Sequence, residues 1–208
     1  LITSEIVGVS TTNDTWTASS SPDNSVQASS LAFGNDTVIG VNSQTFYRSQ
    51  DGGASWSTVS SGLSNQQVRC IAFGNNYFVS GAYTSGSTPG GAYSTDNGAT
   101  WTSYSLSTAP GSSNPNFTDD IIYDGARFVA SSIDGSNTRI AVSTPGNLTT
   151  FTWQNVNGVG YISGLKSNSA LAYGNGVYVV VGQGNSKSSI WYSTDTITWL
   201  ETTGSTQT

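Results

Sequence analysis

The 208-residue sequence predicts an all-β fold built from repeated four-stranded antiparallel units. Three observations predict it. A turn motif recurs along the chain. A second hairpin signal precedes each full recurrence. No segment sustains an apolar period of about 3.6 residues, so almost no helix is expected.

The turn motif is clearest in SQDGGASW, Ser49 to Trp56, and STDNGATW, Ser94 to Trp101, which share Ser-x-Asp-x-Gly-x-x-Trp. STDTITW (Ser193 to Trp199) and STTNDTW (Ser10 to Trp16) have a shorter spacing, and STPGNLTTFTW (Ser143 to Trp153) is a degraded copy. Asp bonds its own backbone two residues on, and Gly accepts positive φ without steric cost. Phe46-Tyr47 or Ala92-Tyr93 on one side, and the Trp on the other, are strand-like. Each copy therefore reads as a β-hairpin, with Asp51 or Asp96 fixing the turn and the Trp buried on the return strand. The residues given this structural role are Ser49, Asp51, Gly53, Trp56, Ser94, Asp96, Gly98, Trp101, Ser193, Asp195 and Trp199.

The second signal opens each unit. LAFGNDTVIG from Leu31, IAFGNNYFVSG from Ile71, IIYDGARFVAS from Ile121 and LAYGNGVYVVVG from Leu171 share an apolar-x-aromatic core followed by a Gly-Asn or Asp-Gly turn. Trp16, Trp56, Trp101, Trp153 and Trp199 are 40, 45, 52 and 46 residues apart. Four short strands in such a repeat make a propeller blade. One β-propeller domain over 1–208 is expected, with full blades at 26–60, 66–106, 118–157 and 167–203 and a half blade at 1–20. The expected ring is five-bladed and belongs to a longer chain.

The motif resembles the Asp-box, or BNR repeat, of the sialidase-type β-propellers. The resemblance implies that the box lies at the turn between the third and fourth strands of a blade and is structural. It also implies, for family members with sialidase activity, an arginine cluster on the substrate carboxylate, a Tyr nucleophile with a Glu partner, and an Asp acid. The arginines here are Arg48, Arg69, Arg127 and Arg139, the glutamates are Glu5 and Glu201, and the family's Arg-Ile-Pro signature is absent. Arg48 adjoins a box and should lie on the wrong face. A non-enzymatic member of the family is therefore expected.

Composition narrows the function classes. Charged residues are 9%, against about a quarter in ordinary domains, while 23 aromatic residues rule out a disordered chain. A net charge of −6 with six Lys plus Arg cannot build the basic face that nucleic acid or an anionic membrane requires. No apolar run approaches the roughly 18 residues of a membrane span. The lone Cys70, in an apolar run, reads as a small buried side chain, and the absence of His excludes a Ser-His-Asp triad and argues against zinc or copper. No cofactor is expected, with calcium on Asp and backbone carbonyls left open.

The loops opposite the box turns vary most in length, as binding segments on a rigid scaffold do. Their polar and aromatic residues suit neutral sugars. The candidates are Tyr83, Asn116, Phe117, Asp119, Asp134, Asn137, Arg139 and Tyr161. The expected function is glycan or receptor recognition on an extracellular or virion surface, as in a tail fibre or adhesin. The partners would be a cell-surface glycan or protein receptor and other subunits of a larger assembly. The alternative is a glycoside hydrolase-type propeller using Asp119 and Asp134, since such enzymes need a carboxylate pair across a cleft.

Overall fold

The structure, a computed structural model, describes residues 28–64, 66–84, 90–106, 118–134, 137–144, 147–184 and 188–202. The expected half blade at 1–20 lies outside the described residues.

Four antiparallel sheets follow one another, each with its strands in chain order. The first holds β1 (Ser30–Gly34), β2 (Thr37–Asn42), β3 (Thr45–Ser49) and β4 (Ser57–Ser60). The second holds β5 (Gln66–Gly74), β6 (Tyr77–Thr84), β7 (Gly90–Ser94) and β8 (Thr102–Ser105). The third holds β9 (Asp120–Tyr123), β10 (Phe128–Asp134), β11 (Asn137–Thr144) and β12 (Asn147–Trp153). The fourth holds β14 (Leu165–Gly174), β15 (Val177–Gly184), β16 (Ser188–Ser193) and β17 (Leu200–Glu201). Between the last two lie a 3-10 turn, Val156–Gly158, and β13 (Ile162–Ser163), which pairs with β11 through Thr138↔Ile162. The β13 segment falls between the expected blades at 118–157 and 167–203, where the repeat pattern predicts no strand. Among the described residues no helix is long and apolar enough to cross a membrane.

The opening hairpins form because their turn residues tolerate the left-handed region. Asn35 and Asp36 have φ of 48° and 54°, and Asn75 and Asn76 have φ of 48° and 64°. Two consecutive positive φ values make the tight hairpin turn whose twist matches the strands. The third unit has Asp124 instead, whose carboxylate accepts from the amides of Ala126 and Arg127.

The first strands lie side by side, β1 on β5, β5 on β9 and β9 on β14. Glycine sets how closely they approach. A Cβ on Gly34 would stand 2.1 Å from the Phe73 ring, and one on Gly74 would stand 2.1 Å from the Tyr123 ring. Phe73 and Tyr123 of the second and third opening signals thus pack on the glycine of the preceding blade. Three apolar clusters fill the spaces between successive sheets.

Among the described residues, the expectation of a buried box Trp holds fully for one copy. Trp199, in the shortened box, is 2% exposed and joins the cluster between the third and fourth sheets. Trp101 is half-buried, edge-on to Phe46 of the first sheet at 4.2 Å between ring centroids. Trp56 is also half-buried.

Candidate functional site

The topology gives each sheet two ends. One carries the first hairpin turns and the box turns. The other carries the starts of the first strands and the corners between second and third strands.

At the box end the carboxylates are consumed within their own turns. The Ser94 hydroxyl donates to Asp96 Oδ1 at 2.7 Å, the Thr100 amide to the same oxygen at 2.8 Å, and the Thr100 hydroxyl to Oδ2 at 2.6 Å. The Gly98 amide donates to Ser94 Oγ at 2.8 Å, and Trp101 Nε1 to the Gly98 carbonyl at 3.1 Å. Ser49, Asp51, Gly53, Ser55 and Trp56 repeat the scheme. In the shortened box Asp195 accepts from the amides of Ile197 and Thr198, and Thr196 takes the glycine's place at φ 68°. The Ser55 hydroxyl and amide hold the Asp51 carboxyl at about 2. Desolvation would raise the Asp96 carboxyl, but the Thr100 and Ser94 donors outweigh it and hold it at about 2. These groups therefore support the fold above their unfolded value of 3.8 and withdraw that support only as pH falls toward about 2. Asp96→Ala is expected to lower stability by about 1 kcal/mol in urea denaturation, a modest loss because the turn is exposed. Arg48 lies at this end, its Nε donating to the Asn97 carbonyl at 2.6 Å.

The opposite end gathers the candidates into two groups. In the first, the Arg69 guanidinium lies over the Tyr83 ring, 5.5 Å from its centroid. Arg69 is the extra residue at a β-bulge, where Val68 pairs with Ala82 and Cys70 with Gly81. A bulge re-aims a side chain. Arg69 also lines a cleft of about 370 Å³ with Ser29, Asn42, Ser43, Gln67 and Val68. Asp119 stands within its field. Desolvation pushes the Asp119 carboxyl up to about 6, against the opposing pull of Arg69 and the Ile133 amide. Its Oδ2 is buried without a hydrogen-bond partner, as are Thr118 Oγ1 and Gln66 Oε1. Those three atoms sit where the first strands of the second and third sheets begin, and each can accept a hydrogen bond. The neighbouring Asp120 is used structurally, accepting from the amides of Ile121 and Leu171 at 2.9 and 2.8 Å.

In the second group, Arg139 is 3% exposed and donates through Nε and Nη2 to Asp134 Oδ2 at 3.0 and 2.9 Å. Its Nη1 donates to the Gly160 carbonyl at 3.2 Å, and the Tyr161 ring centroid lies 5.5 Å away. Asn137 pairs with Asp134 across the corner and with Ser163 of β13. This group pins the corner of the third sheet to the segment leading into the fourth. Asn116 and Phe117 lie outside the described residues. The sequence reading missed Arg69 and Gln66. The available signal was a charge inside the apolar run Val68 to Phe73.

No family model matches the sequence. No curated protein matches it either. Solved structures do. The chain superposes on Trypanosoma rangeli sialidase in complex with sialic acid with a TM-score of 0.58 at 16% identity, covering 83% of this chain and 36% of that one. A mutant of the same sialidase displaying trans-sialidase activity gives 0.57 at 17% identity, covering 83% and 36%. The sialidase in complex with the inhibitor DANA gives 0.56 at 15% identity, covering 83% and 37%. The expectation of a non-enzymatic protein is overturned here, because the solved structures on which the chain superposes are those of a sialidase, an enzyme. That expectation weighed the catalytic residues of a whole enzyme against a chain spanning about a third of such an enzyme's length. Four-stranded antiparallel blades in this arrangement are the β-propeller fold of the sialidases.

Proposed function

We propose that this chain recognises a glycan at the end of the blades opposite the Asp-box turns, centred on Asp119, Arg69 and Tyr83. The observation that carries the reading is the unpartnered, buried Oδ2 of Asp119, accompanied by unpartnered oxygens on Thr118 and Gln66. Buried acceptors without donors are costly, and sugar hydroxyls are donors of the right kind. The Tyr83 ring and the cleft beside Arg69 supply an aromatic surface and room for a ring. The fold supports the substrate class, since a solved neighbour holds sialic acid. The acidic, hydroxyl-rich composition supports display on an extracellular or virion surface.

The test is a glycan array, run with and without calcium. Saturable binding is expected, weakened about ten-fold by Asp119→Asn or Tyr83→Ala and unchanged by Asp51→Asn at the far end. Binding that ignores Asp119 and Tyr83 sinks the reading.

The carboxyl at about 6 favours a second reading, in which Asp119 is protonated below about pH 6 and there donates to a glycosidic oxygen. The ion pair of Asp134 with Arg139 removes Asp134 as an unencumbered second acid. Cleavage of a fluorogenic glycoside that declines as pH rises through about 6, and disappears in Asp119→Asn, would select this reading.

A further inference from the structure

The degraded box of the third blade has its Trp out of place. In the other three described boxes the pairs Arg48↔Ser57, Tyr93↔Thr102 and Tyr192↔Leu200 put the box Ser opposite the box Trp, one step on. In the third blade the residue opposite Ser143 is Phe151. Phe151 is buried and stacks on Tyr104 of the second sheet, with 5.4 Å between ring centroids. It takes the packing role of a box Trp. Trp153 lies further along the strand, opposite Ala141.

That position holds Thr58, Ser103 and Glu201 in the other sheets, all of them exposed. The repeat does not call for a half-buried Trp there. A second departure lies beside it. At the matching place before the box Ser, the other blades carry Thr45, Gly90 and Ser189, and the third carries Arg139. The third departure is the segment after Trp153. Its 3-10 turn and its left-handed residues Asn157, Gly158 and Gly160 bring it back to Arg139, whose Nη1 holds the Gly160 carbonyl.

These three departures converge. Trp153, Arg139, Gln154, Asn155, Val159 and Gly160 line one cavity of about 220 Å³. Small-ligand pockets combine an aromatic or apolar surface with a few placed polar groups. Here the indole supplies the surface, and Val159, 58% exposed, adds an apolar wall. The side-chain amides of Gln154 and Asn155 supply donors and acceptors. Arg139 is the one charged residue among the described lining, and Asp134 neutralises it. The cavity therefore suits an uncharged ligand with an apolar face and a rim of hydroxyls, which is the form of a pyranose.

We propose that this cavity is a sugar site of its own, taking one neutral pyranose against the Trp153 ring, apart from the site at Asp119.

Indole N–H resonances followed during titration with methyl pyranosides (the mannoside, the galactoside and the N-acetylglucosaminide) test this. Trp153→Phe assigns the Trp153 resonance by its loss. One or more of the three sugars is expected to shift that resonance saturably, with a millimolar dissociation constant, while the buried Trp199 indole stays unmoved. Val159→Glu and Asn155→Ala, both at exposed positions, are each expected to weaken the response about ten-fold. Asp119→Asn is expected to leave it unchanged, so the result is read apart from glycan binding at Asp119. The absence of a saturable shift with all three sugars overturns the proposal. So does a response that survives both cavity variants, a response lost in Asp119→Asn, or tighter binding of the anionic methyl glucuronide.

Discussion

Trp199→Ala is expected to destabilise the chain by about 3–5 kcal/mol, the range for emptying a large buried aromatic site. Among the described residues the indole is the largest fully buried side chain, and it belongs to one cluster with Val129, Ile140 and Val156. It also holds its segment through hydrogen bonds. Nε1 donates to the Thr196 carbonyl at 2.9 Å. The Trp199 amide donates to Asn157 Oδ1 at 2.8 Å, and Asn157 Nδ2 returns a bond to the Trp199 carbonyl at 3.2 Å. A domain has a margin of about 5–15 kcal/mol, so this single change removes a large share. Trp199→Phe keeps most of the apolar volume and loses the N–H donor, for an expected loss of about 1–2 kcal/mol. Guanidinium denaturation of the three proteins measures the order. Equal losses for Ala and Phe would show that the indole hydrogen bond, rather than packing, dominates.

Asp119→Asn is expected to act in the opposite direction and stabilise the chain at neutral pH. The carboxyl rises from 3.8 to about 6 on folding, so between those values the folded chain binds more protons than the unfolded one. Stability therefore increases as pH falls from about 6 toward about 4, and ionisation of Asp119 opposes folding at pH 7. The opposition is at most about 3 kcal/mol, and about 1–2 after solvent screening of a half-buried group. Asn keeps the shape and the acceptor for the Ile133 amide, and it cannot ionise. Urea midpoints from pH 4 to pH 7 should fall for wild type and flatten for the variant, with a residual slope from Asp120, which burial also raises. Parallel slopes in the two proteins would exclude Asp119 as the source. This window is distinct from that of Asp51 and Asp96, whose contribution changes only below about 4.

The blades were legible because their signals are local. Asn-Gly-type turns and Ser-x-Asp-x-Gly boxes each specify a hairpin from a few adjacent residues, and all four sheets keep their strands in chain order. The site was legible only in outline. Tyr83, Asp119, Asp134, Arg139 and Tyr161 lie at the end opposite the boxes, as the topology predicts, yet their partition into two groups depends on tertiary detail. A bulge at Arg69 turns a core-strand charge toward Tyr83, and a two-residue strand at Ile162 brings Tyr161 to Arg139. Neither has a compositional signature. Trp199 illustrates the same limit, since a shortened box, not either full one, has the best-buried Trp among the described boxes, for reasons set by the adjoining sheet.

The chain-order sheets also bear on how the protein reaches its fold. Each hairpin closes a loop of a few residues, so little chain entropy is lost before strand pairing begins. Each blade can gain its hydrogen bonds soon after its residues leave the ribosome, without waiting for distant sequence. What the first and second blades lack at that moment is the next aromatic ring over Gly34 and Gly74. Synthesis therefore carries forward one sticky apolar face at a time, moving from blade to blade as the chain lengthens.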